Sequence, residues 1–393
     1  MTSPAFRSVA AAVATSCLVP QPRQPDGPVD WSELVRLVAR HKVAPLVERS
    51  GWLEEAGAPP EARAAVGERA RVHTVRTLQT LALQKEVLTA LADAGLETVV
   101  LKGLVVAVDG YADPFARASG DLDLLVRPDR VSHAVDVLEA LGFTWYGWRT
   151  PEQADRRQPG RAAIERPGRH PLLRDVTLAR GDLQVEIHWR LFENPRLMKV
   201  DPAWLAAPRR VAIQGVAVPA LPLAAHWTYV LVHGAKHRWS WMKWLADVAA
   251  LAVRRPGLVE RDALASASAG HERSVATGLL VAEETFGRFL PAEARGWASA
   301  VTGTRPLVRS ALQALTAEHD RPATTSFRAL PAEVRTRLAL RQDAAYRLDE
   351  VRLLLLTAAH AQAVEDPGPG ELVTGPLRWA RRTASARASK KRR

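Results

Sequence analysis

An α+β fold is expected from this sequence: a small mixed β-sheet core flanked by N-terminal helices and a C-terminal helical domain. Three observations predict it. The first hundred residues carry apolar positions at helical spacing; the stretch from about 96 to 220 mixes short β-branched runs, short helices and tight turns; and helical periodicity returns from Pro222 to about residue 363. With 393 residues and 47% hydrophobic content, the chain can bury substantial cores. The expected divisions are an N-terminal helical segment over 1–95, a core over 96–220, a helical domain over 221–365 and a basic flexible tail over 366–393.

Taken in order, "VAAAVATSCLVP" is apolar but short and alanine-rich, and only Arg7 precedes it, so it reads as a helix rather than a signal peptide. "DWSELVRLVARHKVAPLVERSG" predicts a helix opening at an aspartate cap and closing at Gly51. Pro59 and Pro60 suit the start of a long helix that ends at Gly95. "LETVVLKG" then predicts a strand, "LVVAVDGYAD" a short helix, "GDLDLLVRP" a second strand, and "DRVSHAVDVLEALGF" a helix capped near Asp129 and stopped at Gly142. Residues 150 to 172, rich in Arg, Pro and Gly, predict a mobile loop. "RDVTLARGDLQVEIHWRLF" predicts two strands about a tight turn at Gly181 and Asp182, and "RRVAIQGVAVPAL" a shorter hairpin about Gln214 and Gly215. Prolines 256, 291, 306, 322 and 331 punctuate the helical region that follows, and "EDPGPG" breaks the chain before the tail. There is no internal repeat.

The net charge is +12, but the residues after Glu371 contain eight Lys and Arg and no acid, which leaves the body at about +4. A solvated basic tail explains this better than a nucleic-acid site does. The single cysteine, Cys17, excludes an internal disulfide. No stretch approaches the roughly 18 uninterrupted apolar residues of a membrane span, so a cytoplasmic, soluble protein with no membrane partner is expected. Walker A, G-x-S-x-G, G-x-G-x-x-G and zinc-ligand spacings are all absent.

The chemistry gathers in the core. On a strand, Asp121 and Asp123 project to one face. Side by side they repel, and burying them unpaired is costly, so a positive charge belongs between them. A hard divalent cation such as Mg²⁺ is the simplest candidate, and two solvated or arginine-paired acids on an edge strand are the alternative. "LQVEIHW" puts Glu186 and His188 on one face of another strand. A third carboxylate facing the first two would let the set bridge two Mg²⁺ ions, although a lone strand of this kind is ordinarily just half-exposed. "VVLKGLVVAV" runs from a strand through Lys102 and Gly103 into a helix, whose N-terminal N–H groups suit a phosphate; an ordinary strand-to-helix turn is the alternative. Arg117 is placed to meet a phosphate or to neutralise an aspartate, with an ordinary surface arginine as the alternative, and His188 reads either as a ligand or as a buried, hydrogen-bonded core residue.

Together these residues resemble the DNA polymerase β-like nucleotidyltransferase superfamily, and within it the bacterial family of uncharacterised nucleotidyltransferases. The resemblance rests on "VVLKG" at 99–103, Arg117, "GDLDLLV" at 120–126, "VEIHW" at 185–189 and the Trp-rich "LVHGAKHRWSWMKWLADVAAL". It spans about 30 to 365. Lys102-Gly103 stands where the superfamily more usually has Gly-Ser. The resemblance implies a nucleotidyltransferase core in which Asp121, Asp123 and Glu186 are catalytic metal ligands and Lys102, Gly103 and Arg117 meet the nucleotide phosphates. It implies Mg²⁺, one ion or two, for which Mn²⁺ can substitute, and a nucleoside triphosphate donor, ATP among them. The chemistry would be transfer of a nucleoside monophosphate to a hydroxyl, less often an amine, with pyrophosphate leaving.

His188, His237 and Asp247 are candidates to line an acceptor cleft. Trp239, Trp241 and Trp244 read as core or as a stacking surface, and Lys243 with Asp247 as an i,i+4 ion pair. A small molecule or peptide is the favoured acceptor. A toxin-like enzyme modifying tRNA or a protein, and a non-catalytic binding protein retaining the fold, are the alternatives.

Overall fold

The computed structural model describes residues 3–146, 164, 173–317 and 330–355. The expected loop at 150–172, apart from residue 164, and the expected tail lie outside them. Helix α1 (Pro4–Ser16) starts where Ser3 accepts the Phe6 N–H, with proline at its first position. Strand β1 (Gln21–Pro22) follows. Asp30 caps α2 (Trp31–His41) by accepting the Glu33 N–H. The predicted run to Gly51 is broken at Lys42, which turns left-handed at φ 57°; Pro45 then opens α3 (Ala44–Arg49), and α4 (Trp52–Glu55) is a single turn. Helix α5 (Pro60–Asp93), about 51 Å long at 1.5 Å per residue, stops just before the left-handed Gly95.

The core elements are β2 (Thr98–Val100), α6 (Leu104–Tyr111), β3 (Asp121–Val126), α7 (Val131–Ala140), β4 (Thr144–Trp145), β5 (Asp175–Arg180), β6 (Leu183–His188), α8 (Ala203–Ala206), β7 (Arg209–Ile213) and β8 (Val216–Ala220). The helical stretch comprises α9 (Leu223–Lys236), α10 (Met242–Arg254), α11 (Arg261–Ala267), α12 (Glu272–Phe286), α13 (Ala292–Ala300), α14 (Thr304–Leu315), α15 (Leu330–Ala339) and α16 (Ala344–Leu355), interrupted by β9 (Gly287–Arg288), which pairs antiparallel with β1. Seven strands form one mixed sheet in the order β4-β5-β6-β3-β2-β8-β7. Both hairpins turn on the two residues expected. Gln214 and Gly215, each at positive φ, make a primed turn that matches the strand twist. No helix among the described residues is long and apolar enough to cross a membrane.

The chain divides into two compact units, and the division cuts β3 after Leu122. One unit, Met1–Glu86 with Val99–Leu122 and Ala207–Arg341, has a largely helical core. Gly110 lets α6 lie directly against Ala250 and Leu251 of α10. Trp239, fully buried, fills a notch between Gly234 and Gly278, where a Cβ on either glycine would collide with its ring; Arg238 and Trp239 both take left-handed backbone to enter it. His41, at the end of α2, lies edge-on to Phe6, and its Nδ1 accepts the Met242 N–H that opens α10.

The other unit comprises Val87–Thr98, Asp123–Ala206 and Gln342–Arg393. Its helix α7 buries Val131, Ala134, Val135 and Leu138, spaced at i, i+3, i+4 and i+7, and packs on β6. Asn194, after the hairpin, donates to Tyr346 O and Glu350 Oε1 of α16.

Candidate functional site

In the second unit, β5 and β6 pair so that Asp175 stands directly opposite His188 and Thr177 opposite Glu186. The His188 imidazole is 1% exposed and the Asp123 carboxyl equally buried. Nε2 of His188 lies 3.3 Å from Asp123 Oδ1 and 3.2 Å from Glu186 Oε2, and Nδ1 lies 3.5 Å from Asp175 Oδ2. Burial opposes a charge on this ring, but the hydrogen bonds to Asp123 and Glu186 and the charge of Asp175 outweigh it and hold the imidazolium up to about 9. Arg174 in turn pairs with Asp175 at 2.9 Å and with Glu193 at 3.5 Å. Ligand atoms of Asp123, Glu186 and His188 fall within 4.8 Å of one another, so the three can hold a metal ion. Two carboxylates suit a hard divalent cation, and an imidazole widens the choice toward Mn²⁺. The acids around this ring raise its proton affinity, as a site that favours positive charge would.

In the first unit, Lys102 lies just past the end of β2, with Nζ 3.1 Å from Asp121 Oδ2. Gly103 follows at φ 70°, where a Cβ would stand 3.0 Å from Ser119 Oγ, so glycine is needed for this entry into α6. No side chain caps that helix. Arg117 is 5% exposed, and its Nε lies 2.9 Å from both oxygens of Asp247, which also accepts the Tyr111 hydroxyl at 3.1 Å. Lys243 donates to Ala118 O at 3.2 Å. Burial, then Arg117 and Lys42, push its ammonium down to about 7, with Asp121 and Asp247 opposing.

A family model described as "uncharacterised nucleotidyltransferase" matches residues 27–287. The chain belongs to that family. Membership makes nucleotidyl transfer the general activity of the chain. No curated protein matches the chain.

Within this nucleotidyltransferase the candidate residues sort by unit. Asp123, Glu186 and His188 come together as one cluster. Asp121 shares the strand of Asp123 but is held by Lys102, half of the pair expected to meet phosphate. Arg117 and Asp247, read separately as a phosphate contact and an acceptor-cleft residue, are partners in one buried ion pair. His237 has other neighbours, with ring centroids 4.8 Å from His233 and 5.3 Å from Trp244. Trp239 is core, Trp244 is 8% exposed, and Trp241 is partly open.

Two groups were missed in the sequence. Asp175 was legible, because a two-residue turn at 181–182 pairs 180 with 183 and hence 175 with 188. Lys42 was not, since nothing local to "ARHKVAP" connects it with Trp241, whose ring centroid lies 3.8 Å from its Nζ.

Proposed function

We propose that the chain transfers a nucleoside monophosphate from a nucleoside triphosphate to a hydroxyl or amine of a small-molecule or peptide acceptor, in a reaction that depends on a divalent metal ion. The observation that carries this reading is the buried meeting of Asp123 and Glu186 at one imidazole nitrogen, in a member of a nucleotidyltransferase family. Asp123 and Glu186 would hold the ion, with Asp121, two residues earlier on the same strand, as a further ligand; Mg²⁺ is expected, and Mn²⁺ as its substitute. Bound there, the cation supplies neutralisation of the triphosphate and polarisation of the phosphorus–oxygen bond that breaks.

The chain's own groups supply position. His188 keeps the two carboxylates aimed at one point and offsets their repulsion. Arg174 and Asp175 brace the far side of that ring. The uncapped start of α6, entered through Gly103, offers backbone N–H donors suited to phosphate oxygens, and Lys102 balances Asp121.

The test is thermal unfolding of wild type, Asp121→Asn and Asp123→Asn with each NTP, with and without Mg²⁺ or Mn²⁺. A ligand that binds only the folded state raises the midpoint. At least one NTP should stabilise the wild type in the presence of metal, and both variants should lose most of that shift. No response from any NTP with either metal would overturn the proposal.

A further inference from the structure

Around Asp121 the first unit assembles more positive charge than it neutralises. Arg117 is matched by Asp247 and Lys102 by Asp121. Lys42 and Lys243 make no ion pair among the described residues, yet both are substantially withdrawn from water. Their ammonium groups converge on one indole. Lys42 Nζ lies 3.8 Å and Lys243 Nζ 5.9 Å from the centroid of the Trp241 ring.

Three features of the backbone and packing hold them there at a cost. Lys42 occupies a left-handed helix cap, a position that glycine fills without strain. Lys243 sits in the first turn of α10, where the helix dipole disfavours a cation. Helix α5 adds His73, whose proton affinity is lowered by burial and then by Lys243, Lys42 and Arg69. The electrostatic part of this cost is what a polyvalent anion would reverse.

We propose that Lys42 and Lys243, positioned by Trp241, form an anion subsite that takes a polyphosphate chain: the triphosphate of the nucleotide donor, or the pyrophosphate that leaves. Two ammonium groups without carboxylate partners match a chain with several charges better than a single phosphate. The lowered proton affinity of Lys243 agrees with this: burial is its first cause, and Arg117 and Lys42 add to it against the opposing pull of Asp121 and Asp247. The identification of the ligand rests on the nucleotidyl-transfer reading; the subsite itself rests on the geometry of Lys42, Lys243 and Trp241.

The experiment uses the full chain in EDTA and measures the unfolding midpoint against tripolyphosphate, pyrophosphate, orthophosphate and sulfate at matched ionic strength. Tripolyphosphate should stabilise most and sulfate least. Lys42→Met and Lys243→Met should each weaken the tripolyphosphate response at least about tenfold, the loss of one charge-assisted hydrogen bond. Trp241→Leu should weaken it less, and Trp241→Phe should restore part. Lys42→Gln, at a partly exposed position, serves where a methionine variant loses its cooperative transition. The proposal is overturned if tripolyphosphate acts no better than sulfate on wild type, or if the Lys42 and Lys243 variants respond like wild type. NTP titrations of the same proteins with Mg²⁺ separate the two readings. A tripolyphosphate response without any metal-dependent NTP response retains the anion subsite and removes the donor assignment, and the reverse result removes the subsite alone.

Discussion

Around Asp123 the charges close on themselves: two carboxylates share one imidazolium, a third carboxylate stands at its other nitrogen, and an arginine backs that one. Around Asp121 they do not, since two lysines are held against an indole with no acid to match them. One cluster gives its acids cationic partners from its own chain, and its surplus of carboxylates is what suits it to a metal ion. The other brings like charges together at a cost in stability that an arriving anion would relieve. Within one family member, then, the group that looks most like a reactive centre is the better satisfied, and the less conspicuous one is the more poised.

Removing half of a matched pair is the harshest way to break this contrast. Arg117→Met leaves Asp247 buried opposite no guanidinium and should cost about 3–5 kcal/mol in urea unfolding. Pairing it with Asp247→Leu should recover much of that loss, and the double-mutant cycle checks it. His188→Leu attacks the self-contained cluster by setting Asp123 and Glu186 against each other. A loss of about 3 kcal/mol is expected, and an unchanged stability would mean the cluster is less closed than its distances imply.

Acid provides a graded probe of the first unit. Burial lowers His41 to about 3, with Arg40 and Arg36 adding to the shift, so the folded state keeps this ring neutral where the unfolded chain protonates it. The stability this gives is complete above about 6.5 and falls as the pH drops toward the folded value, by about 1.4 kcal/mol per pH unit for the one group. Chemical unfolding at pH 7 and pH 4.5 measures the slope, and His41→Gln should flatten it. The smallest effect is the most diagnostic. Lys243→Met should leave the ligand-free protein as stable as wild type or more stable by up to about 1 kcal/mol, the opposite sign to His188→Leu.

Much of the fold was legible because local signals agreed: the cap at Asp30, Gly95 and Gly142 as stops, and the two hairpin turns. The acid-bearing strands were legible for the same reason, a strand having a period of two. What failed was any inference that needed three dimensions. The spacing of Lys243 and Asp247 suits an ion pair on a helix surface, but Asp247 turns inward to Arg117 and Tyr111, because a buried guanidinium binds a carboxylate more firmly than a neighbouring lysine does. The helix expected to reach Gly51 ends at Lys42, and Pro45 was the sign available for that break. Lys42 and Trp241 lie about two hundred residues apart in sequence, so their meeting is a property of the folded unit alone.

The notch that receives Trp239 carries its own lesson for inheritance. Gly234 and Gly278 leave no room for a methyl group while the indole is present, so three positions spread over 45 residues constitute a single evolutionary character. Lineages of the family that have gained a side chain at 234 should show a smaller residue at 239, and those that have gained one at 278 should show change at 231 as well, because Leu231 would be struck there too.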